Sequence, residues 1–299
     1  MNRAGDGRRV SPVVARRQLL QRFVRARKDA GFQSREIAAE ALGWSPRKQA
    51  LLEGDEQAIP LKDLDVILPT FKVPDDEWSA WRQLAELARA KAWWDNYDAA
   101  DLSDQGKRFV GFEWGARRLR SFDGTIMPAL LQIPGYTTAA LRAGVIDRPP
   151  EQIKRLLAVR RQRQRVLGQP DPLEYQVVLD EAALRRPGGD PGIMRAQLNH
   201  VVDLVETRSN ITVQVVPFSA GLYAAQSGTF VIMDFDHEDD PGLVHVEPGF
   251  AGSLYIEERA DVYLHSRLFE RLLEVALNPA KSLELLRAAA KRAKGATAG

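Results

Sequence analysis

The hydrophobic period of this chain changes once, near residue 170, and that change constrains the fold more than any other feature. Before it, apolar residues recur at helical spacing. RRQLLQRFVRARKDA (16–30) places Leu19, Leu20, Phe23 and Val24 on one helical face, with Ala26 and Ala30 further along and the arginines mainly on the other side. From about 100 to 170 the pattern stays helical, broken at GTIMPALLQIPGY, and IKRLLAVRRQRQRVLG turns Ile153, Leu156, Leu157, Val166 and Leu167 inward. After it, EYQVVL, ITVQVVPF, GTFVIMDF, LVHVE and GSLYI are short β-branched or aromatic runs bounded by Gly, Pro, Asp and Asn, which read as strands. DEAALRR and PGIMRAQLNHVVDLVETR form a helix pair between the first two strands, and VYLHSRLFERLLEVAL and KSLELLRAAAKRA close the chain as helices. At 299 residues the chain exceeds what one compact domain needs. The expected organisation is an all-α N-terminal domain over 1–98 and an α+β domain with a small sheet over 99–299.

The local chemistry of residues 31–55 sharpens the first domain. Gly31 ends the first helix in the manner of a C-cap. SREIAAEAL (34–42) is a short second helix, with Ser34 as its cap and Ile37, Ala38, Ala41 and Leu42 as its expected inner stripe. Gly43 supplies a sharp turn, Ser45 caps a third helix, and Pro46 sits at its first position, where the missing N–H costs nothing. The small Ala38 lets the two helices cross closely. LKDLDVILPTF and DDEWSAWRQLAELARAKAWW add two helices, five in about 80 residues. A short helix, a Gly turn and a capped second helix have the lengths and turn chemistry of a helix-turn-helix.

Charge is unevenly placed. Residues 1–50 carry twelve Lys/Arg against four Asp/Glu, and residues 51–105 carry five against thirteen. Such adjacent blocks fit a polyanion-facing surface at the N-terminal end, and equally two solvated faces that neutralise each other.

On RKDAGF, REIAAEALGWS, LLEGD and IPLKDLDVIL the chain resembles the Xre or Cro/phage-repressor type of helix-turn-helix regulator over residues 17–75. The resemblance implies a lambda-repressor-like fold. It departs at Gln33-Ser34, where such proteins begin the first motif helix with Ser/Thr then Gln. It departs again at Gln49, where Ile or Val faces the core, and at Leu51, where a surface Arg is usual. MPALLQIPGY, AVRRQRQRVL, LDEAALRRPGG, IMRAQLNHVVDL, ITVQVVPFSAGLYAAQSGTFVIMDF, LVHVEPGFAGSLYIEE and FERLLEVALNPAKS are similar to the C-terminal domain of unknown function that follows Xre-type modules in many actinobacterial regulators. That similarity runs over residues 112–287, with Ala129 standing where Gly is usual.

Together these imply a transcriptional regulator that binds double-stranded DNA, acts as a homodimer and is often encoded beside a small partner protein. Arg47 and Lys48 are the expected groove contacts on the third helix, with Ser45 at its cap and Ser34 near a phosphate. The basic first helix (Arg16, Arg17, Arg22, Arg25, Arg27, Lys28) is expected to hold the flanking backbone. A competing reading is an interaction protein that keeps the fold but binds a protein partner; Gln49, Leu51 and the acidic block at 51–105 motivate it.

Other constellations carry less. The chain has no cysteine, which excludes disulfides and thiolate–zinc sites, and its four histidines (His200, His237, His245, His265) have no metal-ligand spacing. No P-loop, G-x-G-x-x-G or G-x-S-x-G is present, so no enzyme, cofactor or metal is expected. DFDHEDD (234–240) reads as a solvated hairpin loop rather than a cation site. The arginine block 160–165 reads as a solvated helix face, with an anionic ligand or nucleic acid as the alternative. Arg163, Gln164, Glu181 and Glu247 are the residues placed to line an effector pocket between sheet and helices, and helix capping is the competing role for such groups. Trp78, Trp81, Trp93, Trp94 and Tyr97 are expected to form a seam between domains or a dimer face. Without a signal-peptide pattern or a long apolar run, the chain is expected to be cytoplasmic, with no membrane partner.

Overall fold

Among the described residues, six α-helices build the first of two compact units, which comprises residues 1–98 and 106–115. A computed structural model describes residues 11–54, 58–144, 149–188, 190–225, 228–236, 240–247 and 252–295. The helices are α1 (Pro12–Asp29), α2 (Arg35–Ala41), α3 (Pro46–Glu53), α4 (Leu61–Thr70), α5 (Trp78–Leu87) and α6 (Asp104–Gly115). Serine caps set three of their starts: Ser11, Ser34 and Ser45 accept from the backbone N–H of Val14, Ile37 and Lys48. Gly43 joins α2 to α3 at φ +66°, a left-handed conformation that costs any other residue strain. Leu19, Phe23, Ala38, Leu42, Leu52, Leu64, Ile67, Leu68, Phe71 and Trp81 make the core. Close approach decides a second place: a Cβ at Gly111 of α6 would sit 2.2 Å from Val13 Cγ2, so glycine is required where α6 meets α1.

The expected helical stripes need three corrections. Ile37 is 55% exposed and Ala41 is exposed, so α2 turns Ala38, Ala39 and Leu42 inward. In a helix of seven residues only one narrow face reaches the core, and the turn at Gly43 rotates that face away from Ile37. On α1, Arg17 and Arg27 are buried rather than on the solvent side. The fifth helix ends at Leu87, and Trp93–Asn96 is a separate 3-10 turn whose N-terminal N–H donates to the side chain of Asp95.

The second unit, residues 99–105 and 116–299, holds a six-stranded mixed sheet in the order β3-β2-β1-β4-β5-β6. Its strands are β1 (Arg118–Asp123), β2 (Glu174–Asp180), β3 (Ile211–Val216), β4 (Phe230–Asp234), β5 (Leu243–Val246) and β6 (Leu254–Ile256). The helices are α7 (Pro134–Gly144), α8 (Pro150–Gln164), α9 (Glu181–Arg185), α10 (Pro191–Thr207), α11 (Arg259–Val275) and α12 (Pro279–Gly295). β1, β2 and β3 are parallel and joined by helical crossovers, whereas β4, β5 and β6 continue antiparallel from the other side of β1. α11 covers one face, packing Val262, Phe269 and Leu272 on Phe122, Val178, Val216, Phe230, Ile232 and Val244. By strand alternation Leu119, Ser121, Asp123, Val177 and Leu179 point to the opposite face, and all are buried there.

The sequence reading anticipated five of these strands and took RLRSFD, the central strand β1, as part of a helical region. Two arginines in six residues hide the alternation. Arg120 is matched across the sheet by Asp234, at 2.8 and 3.0 Å, and its Nη2 also donates to Ser266 on α11 at 3.3 Å. Arg118 meets Gln176 and Glu174 on β2.

Candidate nucleic-acid interface

α2 and α3 each begin on a serine cap, α2 after Ser34 and α3 after Ser45 at the end of the Gly43 turn. The Ser34 hydroxyl accepts from Ile37 N at 3.3 Å and the Ser45 hydroxyl from Lys48 N at 3.2 Å. Ser45 and Arg47 are exposed, and Arg47 has no ion-pair partner among the described residues. Lys48, its neighbour, is differently placed. Its Nζ lies 2.9 Å from Asp63 Oδ1 on α4 and 3.9 Å from the centroid of the Trp44 ring.

The far half of α3 is locked from beneath. Glu53 is buried and accepts from Arg27 Nε at 2.7 Å, Arg35 Nε at 2.8 Å and Gln49 Nε2 at 2.7 Å. Arg27 also donates to the Phe32 carbonyl at 2.5 Å. One carboxylate therefore ties α1, α2 and α3 together. It also explains Gln49, which is fully buried: a polar side chain is tolerated there because its amide reaches Glu53 one turn on, although its Oε1 has no hydrogen bond. Leu51 is half-buried rather than exposed. Arg27 is committed to this cluster and does not belong with the solvent-facing cations of α1. Those are Arg25, at 3.9 Å from Asp29, and Lys28, with Arg22 half-buried.

The aromatic residues divide. Trp81 belongs to the core of the helical unit, and the partly buried Trp78 packs against it. Trp93, Trp94 and Tyr97 pack edge-on together with Trp114 of α6, with centroids 5.5–6.4 Å apart.

In the sheet unit, the four residues expected to line a pocket have separate duties. Gln164 donates to the carbonyls of Gln132, at 2.6 Å, and Leu130, at 3.3 Å, tying α8 to the loop before α7. Glu181 opens α9, is held by Arg185 and accepts from Phe218 N at 3.0 Å; those hydrogen bonds and Arg185 keep its carboxyl below the usual range against the cost of burial. Arg163 acts on His245: burial, and secondarily the Arg163 charge, push that imidazole down to about 4. Glu247 is exposed beyond the end of β5. Of the acidic run 234–240, Asp234 pairs with Arg120, whereas His237, Glu238 and Asp239 lie outside the described residues.

Sequence reasoning missed the most perturbed carboxyl of the unit. Asp123 ends β1, the strand with parallel neighbours on one side and an antiparallel one on the other. Among the described residues its one hydrogen-bond donor is the Ser121 hydroxyl at 3.0 Å, which also lies 3.3 Å from Tyr175 Oη. Burial, with no cation beside it among the described residues, pushes the carboxyl up to about 7. The signal available was an Asp closing a strand; its burial was not visible, since β1 itself was not.

Among the described residues no helix is long and apolar enough to cross a membrane, and no group of three or more His, Cys, Asp or Glu is placed to hold a metal. A family model described as a domain of unknown function (DUF5753) matches residues 107–288. No curated protein and no solved structure matches the chain.

Proposed function

We propose that this chain, which belongs to the DUF5753 family, is a DNA-binding transcriptional regulator of the Xre helix-turn-helix type. In this reading the N-terminal unit grips the duplex through α3, and the sheet unit mediates dimerisation and holds an effector or a small partner protein. The observation that carries the reading is the exposed, Ser45-capped start of α3 bearing Arg47, which has no ion-pair partner among the described residues, backed by a buried carboxylate cluster that fixes the helix. A rigid helix with an outward guanidinium near its N-terminus suits the pair of acceptors, O6 and N7, that guanine presents in the major groove. Ser34 caps the N-terminus of α2, where the carboxylate of Glu36 already sits in the first turn, so it is the weaker of the two serine positions for a phosphate contact. Arg22, Arg25 and Lys28 supply backbone contacts along α1. Two such units in a dimer read half-sites about 34 Å apart.

The test is selection of bound duplexes from genomic fragments by the full chain at two salt concentrations. A discrete palindromic site whose affinity falls steeply with salt is expected. Arg47→Ala should relax the preference at one base pair of each half-site by about 1–3 kcal/mol. Equal weak binding to all fragments would sink the reading.

A second reading has an observation of its own. Ile37 is 55% exposed on α2, an apolar group that suits a protein surface better than a phosphate backbone. If Ile37→Ser abolishes capture of a partner while DNA binding is absent from the native chain, the unit is a protein-interaction module.

A further inference from the structure

We infer that Asp63 withholds Lys48 from the nucleic acid, so that of the two adjacent cations on α3 only Arg47 meets DNA; the inference rests on the DNA-binding reading and assigns its specificity-determining residues. The two cations are neighbours in sequence but not in circumstance. Arg47 is exposed and unpaired among the described residues. Lys48 lies between an anion and a π face, 2.9 Å from Asp63 Oδ1 and 3.9 Å from the Trp44 centroid, and Trp44 in turn stacks with the fully buried Phe23 at 6.4 Å. Asp63 is 6% exposed, and its second oxygen, Oδ2, is buried without a hydrogen bond. Lys48 is thus the one cation that compensates Asp63 among the described residues.

Moving Lys48 to a phosphate would strand a carboxylate inside the helical unit, and a buried charge that loses its partner is strongly unfavourable. A phosphate contact at the surface, won against counterions and water, is a weak competitor. Lys48 therefore acts as a strut between α3 and α4, and Asp63 is a positioning residue that subtracts one cation from the sequence-independent part of binding. Each phosphate neutralised steepens the dependence of log K on log salt by about 0.9. The clamp therefore leaves a larger share of the affinity to base readout by Arg47.

The experiment measures the salt slope of duplex binding for the native chain, Asp63→Asn and Asp63→Asn/Lys48→Ala. Asparagine keeps the shape of the aspartate while releasing the lysine, and thermal melts establish that both variants fold. A slope steeper by about 0.9 in the single variant, restored to the native value in the double variant, is the expected result. An unchanged slope in Asp63→Asn overturns the inference. So does a double variant shallower than native by the same amount, because Lys48 would then already be on a phosphate. If the native chain binds no DNA at any salt, the DNA-binding reading itself falls, and the inference with it.

Acetylation of the free native protein by an N-hydroxysuccinimide ester gives a readout that needs neither DNA nor a folded variant. Lys48 should react several-fold more slowly than the exposed Lys28, and equal rates would overturn the clamp.

Discussion

Glu53 in the helical unit and Asp123 in the sheet unit are about equally buried, at 8% and 9% exposure, yet their surroundings are opposite. Glu53 is met by two guanidinium groups and an amide, contributed by three helices. Asp123 is met by one hydroxyl from its own strand. The first arrangement makes a buried charge into a fastening, because removing the carboxylate leaves the buried Arg27 uncompensated. The second leaves the carboxyl to take up a proton as the way out of burial. Depth alone says little about what a buried acid does; the charges facing it decide.

Breaking the Glu53 side should give the largest effect. Glu53→Ala strands Arg27 in the core, and a loss of about 3–5 kcal/mol is expected. All six tryptophans lie in the helical unit, so denaturant unfolding followed by tryptophan fluorescence reads this unit selectively.

The Asp123 side should show itself through pH. Its folded-state pKa of about 7 stands above the ordinary 3.8, so between those values the folded chain holds a proton that the unfolded chain has released. Stability contributed by this group is therefore present below about pH 4, declines as pH rises through the window, and is lost above about 7. The full span is on the order of 4 kcal/mol. Asp123→Asn should flatten that decline and leave the variant more stable than the native chain at pH 8, with little difference at pH 4. Hydrogen exchange of the β1 and β2 amides at several pH values measures it; a native profile unchanged by the substitution would place the compensation elsewhere.

Two smaller changes refine the helical side. Gly43→Ala must force a Cβ residue into φ +66° with nothing near enough to clash, so the cost is backbone strain alone, about 1 kcal/mol. Arg35 is half-exposed, and Glu53 keeps Arg27 when it is lost. Arg35→Ala should cost under about 1 kcal/mol and less still at high salt. A loss as large as that of Glu53→Ala would mean that the two arginines act as a unit.

The two sides also differ in how well they can be read in sequence. The caps Ser34 and Ser45, the turn at Gly43 and the helices around them follow from short-range chemistry, in which each partner lies within four residues. Gln49 and Glu53 are likewise one helical turn apart, so that half of the cluster was within reach of spacing arguments. Arg27 and Arg35 join Glu53 across 26 and 18 residues, and nothing local marks Arg27 as different from Arg25. The apolar period places Ile37 inward, but two turns of helix are too short to fix a face, and Ile37 is exposed. RLRSFD is hidden because its arginines find partners far along the chain, Arg120 in Asp234 and Ser266, 114 and 146 residues away, and Arg118 in Gln176, 58 residues away.

By itself, then, the sequence determined a helical first part with a Gly-centred turn between capped helices, and a second part that mixes strands and helices. Backbone geometry and the apolar period are properties of neighbouring residues, and neighbouring residues are what a sequence displays. Tertiary structure decided which charges became fastenings, which strand took the centre of the sheet, and which of Arg47 and Lys48 faces outward. Those outcomes depend on what lies opposite a side chain after distant segments pack, and burial changes the energy of a charge far more than its neighbours along the chain do.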